Sequence, residues 1–436
     1  MRRQARKGGG KQIEVTVETL GGRGDGVAHR DGQPVFVPFT LPGETVRVRL
    51  KGESRAGVRA EALEILDESP ERVEPPCPHF GPCGGCSVQH LGDAAYRRWT
   101  LDQVTAALER RGFVAPPVRD ALFVGRNTRR RAVLAAQPRG KGVALGFHGR
   151  ESHRVEDIST CHVLTPGVMA LLPDLRKALW SVLEPKETAD VTILESNSGA
   201  DVLIASRKSP GLQARQTLAA FAERQDVARL SWRPAGSAGD GLPAEPVAVR
   251  RPPLLYFGTI PVEPPEGGFV QPTAAGEDAL VETVTGWLSD NTGPVADLYA
   301  GVGTFTFPLA RQARVHAVEG SEAAMASLWQ AARKNDMMGR VTAEVRDLAE
   351  DPLGVADLAP FGAVVFDPPR AGAKAQAEAL AESDVGTVVA VSCNPNTFGR
   401  DARALVDGGF ELKEVRPIDQ FPWTGHVELA ALFSRV

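Results

Sequence analysis

The chain has 436 residues and a formal net charge of -4, too long for one ordinary core and too evenly charged to carry a global polycationic signature. Two to four domains are expected, and the charge sum by itself argues weakly against nucleic acid as a partner. No apolar run approaches the roughly 18 residues a membrane span needs, and the basic amino terminus runs into Gly-Gly-Gly without the apolar core of a secretion signal. A cytoplasmic protein is expected, in which clustered cysteines read as metal ligands or catalysts more readily than as disulfides.

In chain order, residues 1–11 form a basic arm, with Arg2, Arg3, Arg6, Lys7 and Lys11 and no acid. Such an arm is either a solvated tail or a phosphate contact. Residues 12–70 alternate as short strands (IEVTVETL, QPVFVPF, ETVRVRL, RAEALEIL) between turns such as GGRGDG and LPGE, the pattern of a small antiparallel OB-like barrel. Pro75, Pro76 and Pro78 mark its exit into a C-x5-C-x2-C run. Cys77, Cys83 and Cys86 of that run, with Cys161 downstream, make four of the five cysteines. Four thiolates suit structural zinc or an iron-sulfur cluster alike, although zinc ligands come more often as two short pairs. A helix is expected over 93–112. A second basic cluster follows, Arg126 with Arg129, Arg130 and Arg131, and then strands such as RRRAVLAA and DVTILES mixed with helices near 166–183 and 211–224. The spacing predicts a central α+β domain over 71–270.

From 271 to 436 strand and helix alternate regularly (VADLYAG, ARVHAVEG, VTAEVRD, GAVVFDPPR, TVVAVSC, FELKEVR, VELAALF), which predicts a doubly wound parallel sheet, so the chain as a whole is α/β. In DLYAGVGTF, Gly301 and Gly303 follow a strand and precede a helix, a turn that lets backbone approach a ligand closely or simply turns tightly. Glu319 ends the next strand, where an acid can accept from both ribose hydroxyls. A dinucleotide fold would want a third glycine; its absence favours S-adenosylmethionine over NAD. Asp347 ends the third strand, placed to hold an adenine amino group or to cap a turn. Asp367 ends the fourth in FDPPR, with Arg370 where amino-group methyltransferases often carry a stacking aromatic. Cys393 follows a hydrophobic strand at the carboxyl end of the sheet, facing the ligand crevice. A thiol there suits addition to carbon 6 of a pyrimidine, which makes carbon 5 nucleophilic; a base must later remove the carbon-5 proton. The helix start at Asn394 and Pro395, or a nearby cation, is expected to keep the thiol ionised. His426 and Glu428 are the candidate bases, and Glu428 is preferred because a carboxylate in an apolar strand is costly unless used.

Taken together, GFVQPT, DLYAGVGTF, FDPPRAG, SCNP and GHVE resemble the elements of the bacterial RNA uracil-5-methyltransferase family, in particular members with an RNA-binding TRAM barrel and an iron-sulfur cluster that modify 23S ribosomal RNA. The resemblance spans nearly the whole chain. It implies a class I, Rossmann-like S-adenosylmethionine-dependent catalytic domain, with Gln271, Tyr299, Glu319, Asp347 and Asp367 binding S-adenosylmethionine and Cys393 and Glu428 doing the chemistry. It further implies a 4Fe-4S cluster on Cys77, Cys83, Cys86 and Cys161, and a monomer that acts on 23S rRNA before or during ribosome assembly, its target base out of the stack. Thr273 stands where the family usually has Asn, and Thr304 where ribosomal members can carry Asn. Transfer RNA is the second substrate class, ranked lower because those members usually lack barrel and cluster. A non-catalytic RNA-binding assembly factor is opposed by the joint presence of Gln271, Asp367, Cys393 and Glu428. Cytosine-5 methylation typically brings further cysteines, and the catalytic half has Cys393 alone.

Overall fold

A computed structural model describes residues 11–235 and 243–435; of the basic arm only Lys11 falls among them, and Arg2, Arg3, Arg6 and Lys7 lie outside. The expected amino-terminal strands form one six-stranded sheet, in the order Gln12–Thr16, Thr45–Ser54, Gly57–Asp67, Gln33–Pro38, Asp25–Arg30, Thr19–Leu20. Alternate residues point inward, and Val15, Val17, Val35, Val37, Val46 and Val48 make its core, as period-2 patterning requires. One pairing, Gln33–Pro38 with Gly57–Asp67, is parallel.

The central sheet has the order Glu245–Val249, Arg229–Pro234, Gly199–Ser206, Ala189–Ser196, Arg131–Arg139, Gly142–Gly146. Helices Pro166–Trp180 and Leu212–Arg224 cover it, burying Leu172, Leu175, Phe221 and Trp232. Two segments of the stretch 71–270 join the catalytic domain instead. Helix Asp93–Glu109 sends Val104 and Leu108 into the catalytic core, and strand Leu122–Phe123 pairs with Ile418 and Asp419 at the edge of the catalytic sheet.

The catalytic sheet has eight strands, in the order Val341–Val345, Val315–Glu319, Val295–Leu298, Ala363–Phe366, Thr387–Ser392, Glu428–Arg435, Phe410–Asp419, Leu122–Phe123. The first five are parallel, and the central three, Val295–Leu298, Ala363–Phe366 and Thr387–Ser392, are buried along nearly their whole length, as strands covered on both faces are. Val295–Leu298 lies between the second and fourth strands of the alternation. The winding therefore reverses at its carboxyl end and opens a crevice there. Strand Glu428–Arg435 runs antiparallel to both neighbours, so the expected wholly parallel sheet is in fact mixed. The loop 420–427 that joins it to Phe410–Asp419 contains no helix, and a parallel pair would need a crossover. The helix expected after the glycine turn is a single turn, Thr306–Leu309.

Candidate active site

The carboxyl ends of the parallel strands open onto a cavity of ≈ 1500 Å³ that reaches from the cysteine-rich segment to Cys393. Its far end is built by the turn after Val295–Leu298, where Tyr299, Gly301 and Gly303 have φ of 60°, 56° and 100°. A non-glycine residue held in that region is strained, and here it aims Tyr299 along the cavity wall. The Glu319 carboxylate takes the backbone N–H of Gly301 on Oε2 at 2.9 Å and of Ser321 on Oε1 at 2.7 Å. Those two bonds lock it to the glycine turn and leave one lone pair on each oxygen for a ligand. Asp347 lines the same end, and its Oδ1 accepts from Ala349 N at 3.0 Å, so it does cap the following turn.

Three acids lie near one another at the strand ends: Asp297 and Glu428 are buried, 1% and 3% exposed, and Asp367 is partly exposed on the cavity wall. Burial pushes Asp297 and Asp367 up to about 7, and Gln271, donating Nε2–H to Asp367 Oδ2 at 3.1 Å, opposes the rise of Asp367. Glu428 is pushed well above the ordinary carboxylate range, by burial first and the Asp367 charge second, and its Oε1 has no hydrogen-bond partner among the described residues. A buried carboxyl oxygen without a donor is costly to maintain.

Strand register decides what Glu428 faces. Ser392 pairs with Leu429 in an antiparallel ladder; one step further, Cys393 and Glu428 stand opposite each other on one side of the sheet. The thiol is half-buried and lines the cavity. The expectation of an ionised thiol is overturned. Burial, then the Glu428 and Asp367 charges, push Cys393 up to about 12, and Arg370 with a backbone hydrogen bond pulls down without prevailing. The helix start at Asn394 is spent on its own cap, its side chain accepting from Asn396 N.

His426 also lines the cavity, but Arg370 Nη2 donates to its Nδ1 at 2.8 Å, and burial followed by the Arg370 charge lowers it to about 4. Its free lone pair is occupied by a cation, which leaves Glu428 as the carboxylate open to the cavity. Of the arginine cluster, Arg129 and Arg131 line the cavity, whereas Arg130 turns inward, 2.7 Å from Glu277, and is no surface contact. Arg126 stacks over the Trp423 ring at 4.8 Å. Thr304 lines the cavity and Thr273 is buried as the cap of helix Ala274–Trp287. Gln420 went unnoticed in the sequence: it is fully buried and donates Nε2–H to Gln271 Oε1 at 2.9 Å. The signal was an amide beside Asp419 in the run IDQFPW, which alternation alone would not single out.

Cys77, Cys83, Cys86 and Cys161 are all free thiols and all line the near end of the cavity. Burial raises Cys83, Cys86 (to about 12) and Cys161, and the charges of the other thiols add to each. Among the described residues no three His, Cys, Asp or Glu side chains stand in an arrangement that holds a single metal ion.

Residues 259–436 match the family described as tRNA (Uracil-5-)-methyltransferase, and residues 6–63 match the TRAM domain. An uncharacterized RNA methyltransferase of Agrobacterium fabrum is 40% identical over 428 residues, covering 97% of this chain and 99% of the relative. The 23S rRNA (uracil(1939)-C(5))-methyltransferase RlmD of Chromohalobacter salexigens is 36% identical over 440 residues, 97% of this chain and 89% of the relative. The Pyrococcus abyssi tRNA (uracil-54, C5)-methyltransferase, solved with S-adenosyl-L-homocysteine, superposes with a TM-score of 0.76 over 96% of this chain and 99% of its own, at 23% identity, a likeness of fold. The strand order, the opposed thiol and carboxyl, and relatives that match from end to end agree: the chain belongs to the RNA (uracil-5-)-methyltransferase family.

Proposed function

We propose that this protein methylates carbon 5 of a uridine in 23S ribosomal RNA through a temporary bond between Cys393 and the uracil ring. The observation that carries the mechanism is the register that sets Cys393 against Glu428 at the cavity. With their protons lost to water, the Cys393 thiolate adds to carbon 6 and the resulting enolate takes the methyl group at carbon 5, releasing S-adenosyl-L-homocysteine; the Glu428 carboxylate then removes the carbon-5 proton, and elimination expels the Cys393 thiolate. Burial that raises Glu428 above the ordinary carboxylate range makes its carboxylate, once formed, a stronger base. Gln271, Tyr299, Glu319, Asp347 and Asp367 all line the cavity and hold S-adenosylmethionine. The donor supplies the methyl group on a sulfonium, a positive charge that complements the buried acids.

RNA as substrate is supported by the TRAM match, by Arg23, Arg129, Arg131 and Arg370 on the cavity wall, and by Phe269, 67% exposed beside Arg131. The RlmD relative favours the ribosomal substrate. Four thiols without disulfide partners, converging on one cavity end, fit a 4Fe-4S cluster by donor chemistry. Bound there, it would supply a staple between the 77–86 loop and the segment carrying Cys161.

RNA carrying 5-fluorouridine at the target should form a stable covalent adduct, because fluorine cannot leave as a cation. Cys393→Ala should form none and methylate nothing; a Cys393→Ala protein that still methylates overturns the mechanism. Mapping 5-methyluridine in a deletion strain assigns the substrate: loss from 23S rRNA is expected, and loss from transfer RNA alone would move it to that class.

A further inference from the structure

Outside the reacting pair, three buried side chains, Thr273, Gln420 and Gln271, form a single file that ends on Asp367 at the cavity wall. The Gly276 N–H, in the first turn of helix Ala274–Trp287, donates to Thr273 Oγ1 at 3.1 Å. The Thr273 hydroxyl donates to Gln420 Oε1 at 3.2 Å. Gln420 Nε2 donates to Gln271 Oε1 at 2.9 Å, and Gln271 Nε2 donates to Asp367 Oδ2 at 3.1 Å. Gln420 and Thr273 are fully buried and Gln271 is 3% exposed, so water does not compete with the links from the helix to Gln271, and only the last, to Asp367, borders the cavity.

An amide side chain is nearly symmetric in shape, and only its partners decide which end is N–H and which is oxygen. Here the decision starts at a backbone N–H, which can only donate. Thr273 Oγ1 accepts there and gives its own proton to Gln420 Oε1, which turns the Gln420 NH2 toward Gln271. Gln271 in turn must show oxygen to Gln420 and NH2 to Asp367. A reversed Gln271 would aim a carbonyl at a carboxylate.

We propose that Gln420 is a positioning residue for methyl-donor binding, orienting Gln271 toward Asp367 through a relay that runs from the Thr273 cap. The relay explains how Thr273 serves where the family usually has Asn: its hydroxyl accepts from the helix and donates to Gln420 at once. Helix and relay are packed without slack, since a Cβ on Gly276 would lie 2.4 Å from Gln420 Oε1. The proposal rests on the reading that Gln271 and Asp367 hold the donor.

Affinity for S-adenosyl-L-homocysteine, measured by titration calorimetry on the full chain, tests it. Gln420→Met keeps the volume and removes both bonds; Gln420→Leu removes both with a second apolar side chain of similar size. Both should weaken binding on the order of tenfold, as expected for a buried group left unpaired, whereas Thr273→Ser should bind as the wild type does. In a Gln271→Ala background Gln420→Met should weaken binding no further, because Gln420 acts only through Gln271. A merely structural Gln420 would give losses that add, and additive losses overturn the proposal, as does wild-type affinity in Gln420→Met. If Gln271→Ala and Asp367→Asn both bind normally, the donor-site reading fails and the relay with it; if they bind weakly and Gln420→Met does not, only the relay fails.

Discussion

The fifth cysteine is protonated where an isolated one would already be titrating. Cys393 is pushed up to about 12 by burial and by the Glu428 and Asp367 charges, so the thiolate fraction in the free protein at neutral pH lies below that of an ordinary cysteine near 8.5. The sign follows: each negative neighbour removed lowers the thiol's pKa and raises that fraction. Alkylation of Cys393 by iodoacetamide, followed by peptide mass spectrometry, should be slow at pH 7 and climb steadily past pH 10. Asp367→Asn should speed it; an unchanged or slower rate would mean that the Asp367 charge does not reach the sulfur. For Glu428→Gln, transfer of the methyl group followed by a trapped protein–RNA adduct is expected, seen as a shifted band on a denaturing gel. Normal product release would move the base role elsewhere, to His426 first.

Among the elements, the loop 420–427 bears most on the site, because it delivers Glu428 and is held from three directions. Ser87 N and Val88 N both donate to the Trp423 carbonyl, at 2.7 and 3.2 Å. Trp423 N donates to the Tyr96 hydroxyl at 3.0 Å, and that hydroxyl donates to Asp419 Oδ2 at 2.6 Å. Trp423 has φ of 60°, a conformation that persists only when its surroundings over-determine it. Tyr96→Phe leaves a buried N–H and a buried carboxylate short of a partner, and should destabilise the catalytic domain by about 1–3 kcal/mol in urea unfolding while slowing single-turnover methylation. Stability and rate both unchanged would show that the loop stands without the clamp. Similarly, Arg130→Met leaves the buried Glu277 without its cation, so that its carboxyl, already raised to about 7, takes up a proton, and should destabilise the protein in the same unfolding experiment, more at pH 9 than at pH 6.

At the scale of the whole molecule, the barrel, the cysteine segment and the catalytic sheet meet at that loop. The barrel's Gly22 carbonyl lies so near Gly425 that a Cβ there would come within 2.2 Å of it. Arg150 of the central domain reaches Asp25 of the barrel and stacks over Phe39 at 5.0 Å. Cys86 directly precedes Ser87, which holds Trp423, so the thiols and the catalytic loop are mechanically adjacent. Anaerobically purified protein should be brown and contain about four iron atoms and four labile sulfides per chain. Cys161→Ser should lose iron, melt at lower temperature, and expose the 77–90 segment to protease. Zinc in the anaerobic wild type would contradict the cluster.

Alternation and turn residues wrote the three regions into the sequence, since period-2 strands and strand–helix repeats are local properties of the chain. The thiol, its candidate base and the acids at strand ends were legible for the same reason: each sits at a fixed offset from its own strand. What lay beyond the sequence were relations between strands. The antiparallel insertion of Glu428–Arg435, the facing of Cys393 and Glu428, the protonated state of that thiol and the burial of Arg130 all depend on which segments pack together and how much water they exclude. Local sequence specifies a residue's direction along its own element; its pKa and partners are set by neighbours hundreds of positions away, brought close only by the folded core.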